Sequence, residues 1–258
     1  MKGKKSNIVI YILLVILAVI FLAPIFIILF NSFKGKLYIS DAPFKLPTAE
    51  TFVGVQNYID GLSKTGFLSA FGWSIFITFF STIVIVLFTS MTGWYITRAK
   101  NKVSTVIYFI FVFSMIVPFQ MVMFTMSKVA NMLSLDNPIG LIVLYLGFGA
   151  GLSIFMFSGF VKSIPIDIEE AALIDGCNPI KTFFLIVLPL LKPICITVAI
   201  LNVMWIWNDY LLPFLVLETS DFKTITLEIY YVKMTAGQYV SPWETLFPSV
   251  LIAILPLI

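Results

Sequence analysis

Long apolar runs separated by short polar stretches occupy most of this chain. They lie at about 8–33, 67–96, 104–126, 139–161, 193–217 and 245–258. Each of the first five is long enough to cross roughly 30 Å of hydrocarbon as a helix. The last is shorter, contains Pro248 and Pro256, and is expected to be a truncated helix. The pattern predicts an all-α fold: a polytopic membrane protein with six transmembrane helices, forming one transmembrane domain over 1–258. The run at 8–33 follows Lys2, Lys4 and Lys5, is too long for the apolar core of a secretory signal, and has no small-x-small pattern after it. It is expected to be a retained first span.

The polar stretch 162–192 breaks this pattern. Its centre, Glu169-Glu170-Ala171-Ala172-Leu173-Ile174-Asp175-Gly176, is acidic and too short to span. Its local signals predict a short helix. Pro165 precedes Asp167, a candidate N-cap, and Glu170 stands at capping-box distance from it. Glu169 and Glu170 fall in the first turn, where the helix dipole favours negative charge. Gly176 supplies a stop and Pro179 prevents continuation. Ile168, Ala171, Ala172 and Asp175 share one face at helical spacing, and two alanines there admit close approach by another surface. Two uses fit these features equally: a surface helix resting on headgroups, and a docking element with a partner.

Charge placement orients the chain. The N-terminal lysines, the Arg98–Lys100–Lys102 loop and the 162–192 loop fall on one side, whereas the loop 127–138 opposite carries only Lys128. The positive-inside rule then puts the N-terminus and the acidic loop in the cytoplasm. The outer segment 34–66 holds several lysines, but longer translocated loops follow the rule less strictly.

Composition narrows the function classes. Of 258 residues, 60% are hydrophobic and only 11% charged, far from a soluble domain. A net charge of +3 with Arg98 as the one arginine excludes a nucleic-acid surface. The absence of histidine removes H-E-x-x-H zinc sites, Ser-His dyads and imidazole relays together. Cys177 and Cys195 form no C-x-x-C pair. No G-x-x-x-x-G-K-[ST] loop is present, so ATP is not bound in the usual way by this chain.

Polar residues inside apolar runs are costly and therefore mark candidate sites. The run 193–217 holds Asn202, Trp205, Trp207, Asn208, Asp209 and Tyr210. Asn208 and Asp209 are equally suited to capping helix ends or bonding between helices. Pro118 breaks the third run, leaving Gln120 to satisfy freed backbone groups or to face a pathway. Ser74, Thr78, Ser81, Thr82 and Thr89 recur at helical spacing and predict a close-packed face. Asn31 is expected to be an interface residue. The segments 34–66 and 218–244 are rich in turn residues and aromatics, as in interfacial belts and solvated loops.

The order Glu170-Ala171-Ala172, three residues, Gly176, nine residues, Ile186-x-Leu188-Pro189 resembles the signature cytoplasmic loop of permease subunits of binding-protein-dependent ABC importers. Trp207 to Pro213 resembles the corresponding span of sugar-type permeases, Pro118-x-Gln120 a gate region, and Tyr95 with Arg98 the family's region of a tyrosine shortly before an arginine. Gly93-Trp94 stands where small residues are usual, which bears on local packing. The whole chain resembles the smaller maltose-type permease.

The resemblance implies a coupling helix docking on an ATP-hydrolysing subunit through Glu169, Glu170, Ala171, Ala172, Asp175, Gly176, Leu188 and Pro189. It implies a substrate pathway including Gln120, Asn202, Trp205, Asn208, Asp209 and Tyr210. It also implies binding-protein contacts through Gly237, Gln238, Tyr239 and Trp243. The expected partners are a second permease, two ATP-binding subunits that hold ATP and Mg, an extracellular solute-binding protein, a sugar substrate and the bilayer. No catalytic or metal residue is expected. Alternatives are a same-fold importer for glycerol phosphate or an amino acid, a membrane-embedded enzyme, and a secondary transporter or channel. Phosphate recognition would favour basic residues in the spans, and none is found there. Asp209 is the lone acidic residue placed in a span, which leaves an aspartyl dyad unsupported.

Overall fold

The structure, a computed structural model, describes residues 2–217, 220–235 and 242–257. It is helical, in the order α1 (Lys2–Asn31), α2 (Lys36–Asp41), α3 (Gln56–Ser63), α4 (Phe67–Ala99), α5 (Lys102–Ser114), α6 (Phe119–Met132), α7 (Pro138–Val161) and α8 (Ile166–Ile174). There follow α9 (Pro179–Thr182), a π-helical turn (Phe183–Val187), α10 (Leu188–Leu190), α11 (Lys192–Asn208), α12 (Leu211–Leu217), α13 (Ile225–Thr235) and α14 (Trp243–Ile254).

Among the described residues, Ile8–Asn31, α4 and α7 are each long and apolar enough to cross a membrane. The count reaches 5 when each of two bent helix pairs is taken as one span. The run 104–126 is broken at its proline, as the sequence suggests: α5 and α6 meet at 105° across residues 115–118. Pro118 explains the break, since it has no N–H for the helical ladder and restricts the residue before it. The run 193–217 is also divided, because α11 ends at Asn208 and α12 begins at Leu211.

The residues form two compact units. One comprises 1–71 and 228–258, the other 72–227. In the first, α14 packs on α1, α2 and α3. From Ile8 to Leu22 the apolar side chains of α1 are exposed, as on a lipid-facing helix, while Ile27, Ile28 and Phe30 are half-buried. The segment 34–66 is more ordered than a solvated loop. The Asn57 amide donates to the carbonyls of Ser32 and Lys34 at 2.8 Å each, and the Asn31 amide donates to Ile27 and Pro43 at 2.7 Å each. Lys34 is fully buried, donates to the Ala42 carbonyl at 2.9 Å and lies 5.0 Å from the Phe30 ring centroid. Burial lowers its pKa below the usual lysine value. Lys36 pairs with Glu244 at 3.1 Å, and Glu228 accepts from the Gly66 N–H at 3.0 Å just before α4.

In the second unit, α7 lies against α5, α11 and α12, and α12 against α6. Phe157, Val161, Ile164, Phe183, Val187, Leu191 and Val198 form a buried cluster, with Trp94 and Leu188 packed on it. The hydroxyl face of α4 is inward as predicted: Ser74, Thr78, Ser81, Thr82 and Thr89 are all buried. Thr89 bonds its own helix at Ile85, whereas Ser74 accepts from the Ile225 N–H at 2.8 Å.

Candidate functional site

The acidic loop does form a helix, α8, but its start differs from the sequence expectation. Pro165 occupies the N-cap with no side-chain bond, and Asp167 lies inside the first turn. The fixed φ of proline already sets the entry geometry, so no capping carboxylate is required. Asp167 and Glu169 instead interact with the dipole end. The C-terminus follows the prediction. Gly176 has φ +84°, the Cys177 N–H bonds the Ala172 carbonyl at 3.0 Å, and the Gly176 N–H bonds Leu173 at 3.1 Å. This is a Schellman closure, which glycine makes without the strain of a Cβ. Pro179 then opens α9, capped by Asn178, whose side chain accepts from the Lys181 N–H at 2.8 Å.

The two faces of α8 are sharply different. Glu169 and Ala172 are its buried residues. Glu170, Ala171, Leu173, Ile174, Asp175 and Gly176 are exposed, Ile174 by 86%. The expected shared face of Ile168, Ala171, Ala172 and Asp175 is therefore split, because Glu169 is drawn inward and rotates Ala172 with it. Leu188 is half-buried on the core cluster and Pro189 is exposed on α10, just before the 77° bend into α11.

Glu169 is held by residues of α4. Its Oε1 accepts from Arg98 Nε at 2.9 Å and lies 2.8 Å from Nη2 in an ion pair, and its Oε2 accepts from Trp94 Nε1 at 2.9 Å. Arg98 Nη2 also donates to the Ile164 carbonyl at 2.9 Å, in the link between α7 and α8. The ion pair is largely enclosed, with side-chain exposures of 17% and 8%. The unusual Gly93-Trp94 pair is thereby explained. A Cβ on Gly93 would lie 2.8 Å from Phe157 Cβ, so glycine lets α4 approach α7. Trp94 packs its ring on Phe183 at 5.5 Å while its N–H reaches Glu169. Arg98 was recognisable in the sequence, but Trp94's donor role was not.

Of the expected pathway residues, Asn202 and Trp205 come together. With Phe119, Phe148, Ser114, Met115, Val117 and neighbours they line a recess of about 340 Å³ at the α5–α6 break, and no charged side chain faces it. Asn202 is buried, donating to Val198 at 2.8 Å and to Ser153 Oγ at 3.3 Å. Gln120 is exposed on the first turn of α6 and is absent from that lining. Asn208 is exposed and its amide bonds Met204 on its own helix at 2.7 Å. Asp209 holds the break between α11 and α12. Its Oδ1 accepts from the N–H groups of Leu211 at 3.0 Å and Leu212 at 3.4 Å, and its Oδ2 accepts from Tyr145 OH at 3.0 Å. Asp209 thus both caps the start of α12 and bonds across to α7, whereas Asn208 turns back on its own helix. Tyr210 stacks on Phe214 at 5.4 Å. Tyr145 escaped the sequence reading. It is fully buried and meets Trp205 edge-on at 5.4 Å, and the signal for it was one of three hydroxyls, with Ser153 and Ser158, in an otherwise apolar run.

Of the expected binding-protein contacts, Gly237, Gln238 and Tyr239 lie outside the described residues. Trp243 opens α14 and stacks on Phe247 at 5.3 Å.

Comparison with known proteins places this geometry. Residues 89–258 match the family model of the binding-protein-dependent transport system inner membrane component. The chain is 39% identical over 244 residues to the probable starch degradation products transport system permease protein AmyC of Thermoanaerobacterium thermosulfurigenes, covering 95% of this chain and 87% of that protein. It is 32% identical to the multiple sugar-binding transport system permease protein MsmG of Streptococcus mutans, with coverages of 95% and 87%. Its fold matches a chain in the crystal structure of a bacterial ABC transporter involved in the import of the acidic polysaccharide alginate. The TM-score is 0.84 at 20% identity, over 99% of this chain and 94% of that one.

Proposed function

This chain belongs to the family of binding-protein-dependent transport system inner membrane components, and from that premise we propose that it is the permease subunit of an ATP-driven importer of a carbohydrate, an oligosaccharide, working by alternating access.

 The observation that carries this reading is α8: a short helix bearing the Glu170-Ala171-Ala172…Gly176 signature, anchored on one side and exposed on the other. Its free surface of Glu170, Leu173 and Ile174 suits docking into a cleft of an ATP-hydrolysing subunit. The substrate class rests on the relatives, named for starch degradation products and multiple sugars. It also agrees with the uncharged, aromatic recess at Asn202 and Trp205, which suits a neutral solute better than a phosphate.

In this reading the chain crosses the membrane six times with its N-terminus in the cytoplasm, the bent pair α5–α6 and the divided run α11–α12 serving as broken spans and α14 as the sixth. It pairs with a second permease and docks two ATP-binding subunits, which hold ATP and Mg. An extracellular binding protein delivers the sugar. ATP-driven closure of the ATPase pair moves α8, and the spans reorient around the solute.

Affinity purification from the native membrane tests the proposal. A second permease and an ATPase should accompany the chain, and ATP hydrolysis should rise with sugar-loaded binding protein. A chain that transports sugar after deletion of the ATPase would overturn it. Within the assembled complex, Glu170→Lys should abolish transport while leaving membrane insertion intact.

A further inference from the structure

Resting on the function proposed above, we infer that Arg98 and Trp94 are positioning residues that lock the coupling helix to α4 through Glu169, so that a push on α8 becomes a movement of the spanning helix. A force reaching the exposed side of α8 has to leave through its buried side, where only Glu169 and Ala172 are enclosed. Ala172 offers little more than a methyl group. Glu169 is the long lever, and every hydrogen bond it is seen to make ends on α4.

The joint is stiff for three reasons. Both carboxylate oxygens are engaged, so the group cannot rotate without losing a charged donor. Arg98 uses a second bond, to the Ile164 carbonyl, to fix the hinge between α7 and α8. Trp94 is held at both ends, by its N–H on Glu169 and by its ring on Phe183. From this joint α4 runs back along its buried hydroxyl face, through Ser90, Thr89, Thr82, Ser81 and Ser74. Among these, the Ser81 and Thr82 hydroxyls have no hydrogen-bond partner among the described residues. Few specific bonds would therefore have to break for that face to shift.

The test uses the complete importer, with its ATPase subunits and loaded binding protein, in proteoliposomes. It reads solute carried per ATP hydrolysed, alongside yield of assembled complex. Arg98→Lys keeps the charge but cannot supply the planar pair of donors, and should lower solute per ATP by ~5-fold or more, the lower end of ordinary coupling energies. Trp94→Phe keeps the ring contact, removes only the N–H, and should lower it by ~2-fold, the worth of a modest hydrogen bond. Combined with Glu169→Gln, Trp94→Phe should add almost nothing, since the two act through one contact. If both variants assemble less well but carry solute per ATP as the parent does, the joint is structural only and the inference is wrong. A parent chain that assembles with no ATPase would remove the functional reading and this inference together. A parent that couples normally beside variants that also couple normally would remove the inference alone.

Discussion

Two enclosed carboxylates in the same unit, Glu169 and Asp209, are satisfied in opposite ways. Glu169 accepts from Trp94 and Arg98, which are 75 and 71 residues away in the sequence. Asp209 takes two of its bonds from backbone N–H groups 2 and 3 residues ahead, and one from Tyr145. The first arrangement joins separate elements with a formal charge pair. The second closes a break within one stretch of chain, as an N-cap does. An acidic residue in an apolar protein is thus not one kind of signal: distant cationic donors make it a joint, and nearby amides make it a cap.

The largest expected effect separates these roles directly. Arg98→Ala leaves Glu169 enclosed without its cation and should cost about 3–5 kcal/mol, the range for breaking a buried pair from one side. Thermal unfolding of the purified complex in detergent reads this as a marked fall in midpoint. Asp209→Ala should cost less, about 1–2 kcal/mol, for a lost cap. The paired amide substitutions sharpen the contrast. Asparagine caps about as well as aspartate, so Asp209→Asn should nearly preserve the midpoint. Glu169→Gln removes the charge that Arg98 faces and should not. Equal shifts for the two amides would erase the distinction.

Gly176→Ala comes next, with an expected loss of about 1 kcal/mol for placing a Cβ at positive φ. The same melting measurement reads it, and an unchanged midpoint would mean that the turn after α8 relaxes without strain.

How much of this was legible in the sequence follows from the range of the interactions involved. The C-terminal end of α8 was readable because Gly176 and Pro179 act through their own backbones, whereas at its start Pro165 rather than Asp167 takes the cap. The inward turn of Glu169 was not. Glu169 and Glu170 differ by one residue, about 100° around a helix, and the choice between them is made by Arg98, far off in the sequence. The break at Asp209 was legible only as a capping alternative: Asn208 and Asp209 mark it, but the apolar residues beyond them let the run 193–217 read as one span. The ordering of 34–66 was hidden. Asn31 and Asn57 look like loop and interface residues until their amides are seen holding carbonyls of the same segment. The glycine and proline stops were read from local physics, the cap at the start of α8 was misplaced although it too is local, and the inward turn of Glu169 depended on a distant partner.

Tyr145→Phe carries the smallest stability change and the most pointed test. It removes one hydroxyl, retains the ring against Trp205, and leaves Asp209 with both of its backbone donors. A single hydrogen bond of this kind contributes about 0.5–1.5 kcal/mol, so the melting midpoint should fall only slightly. If Asp209 is a cap, sugar uptake by the assembled complex should also stay close to the parent's. If uptake drops far more than stability, the Tyr145 hydroxyl is doing something that capping does not require. Its ring touches Trp205, and Trp205 lines the recess beside Asn202. A disproportionate loss would therefore move Asp209 and Tyr145 from the scaffold into the wall of the pathway, and would reduce the contrast with Glu169 to one of donor type alone.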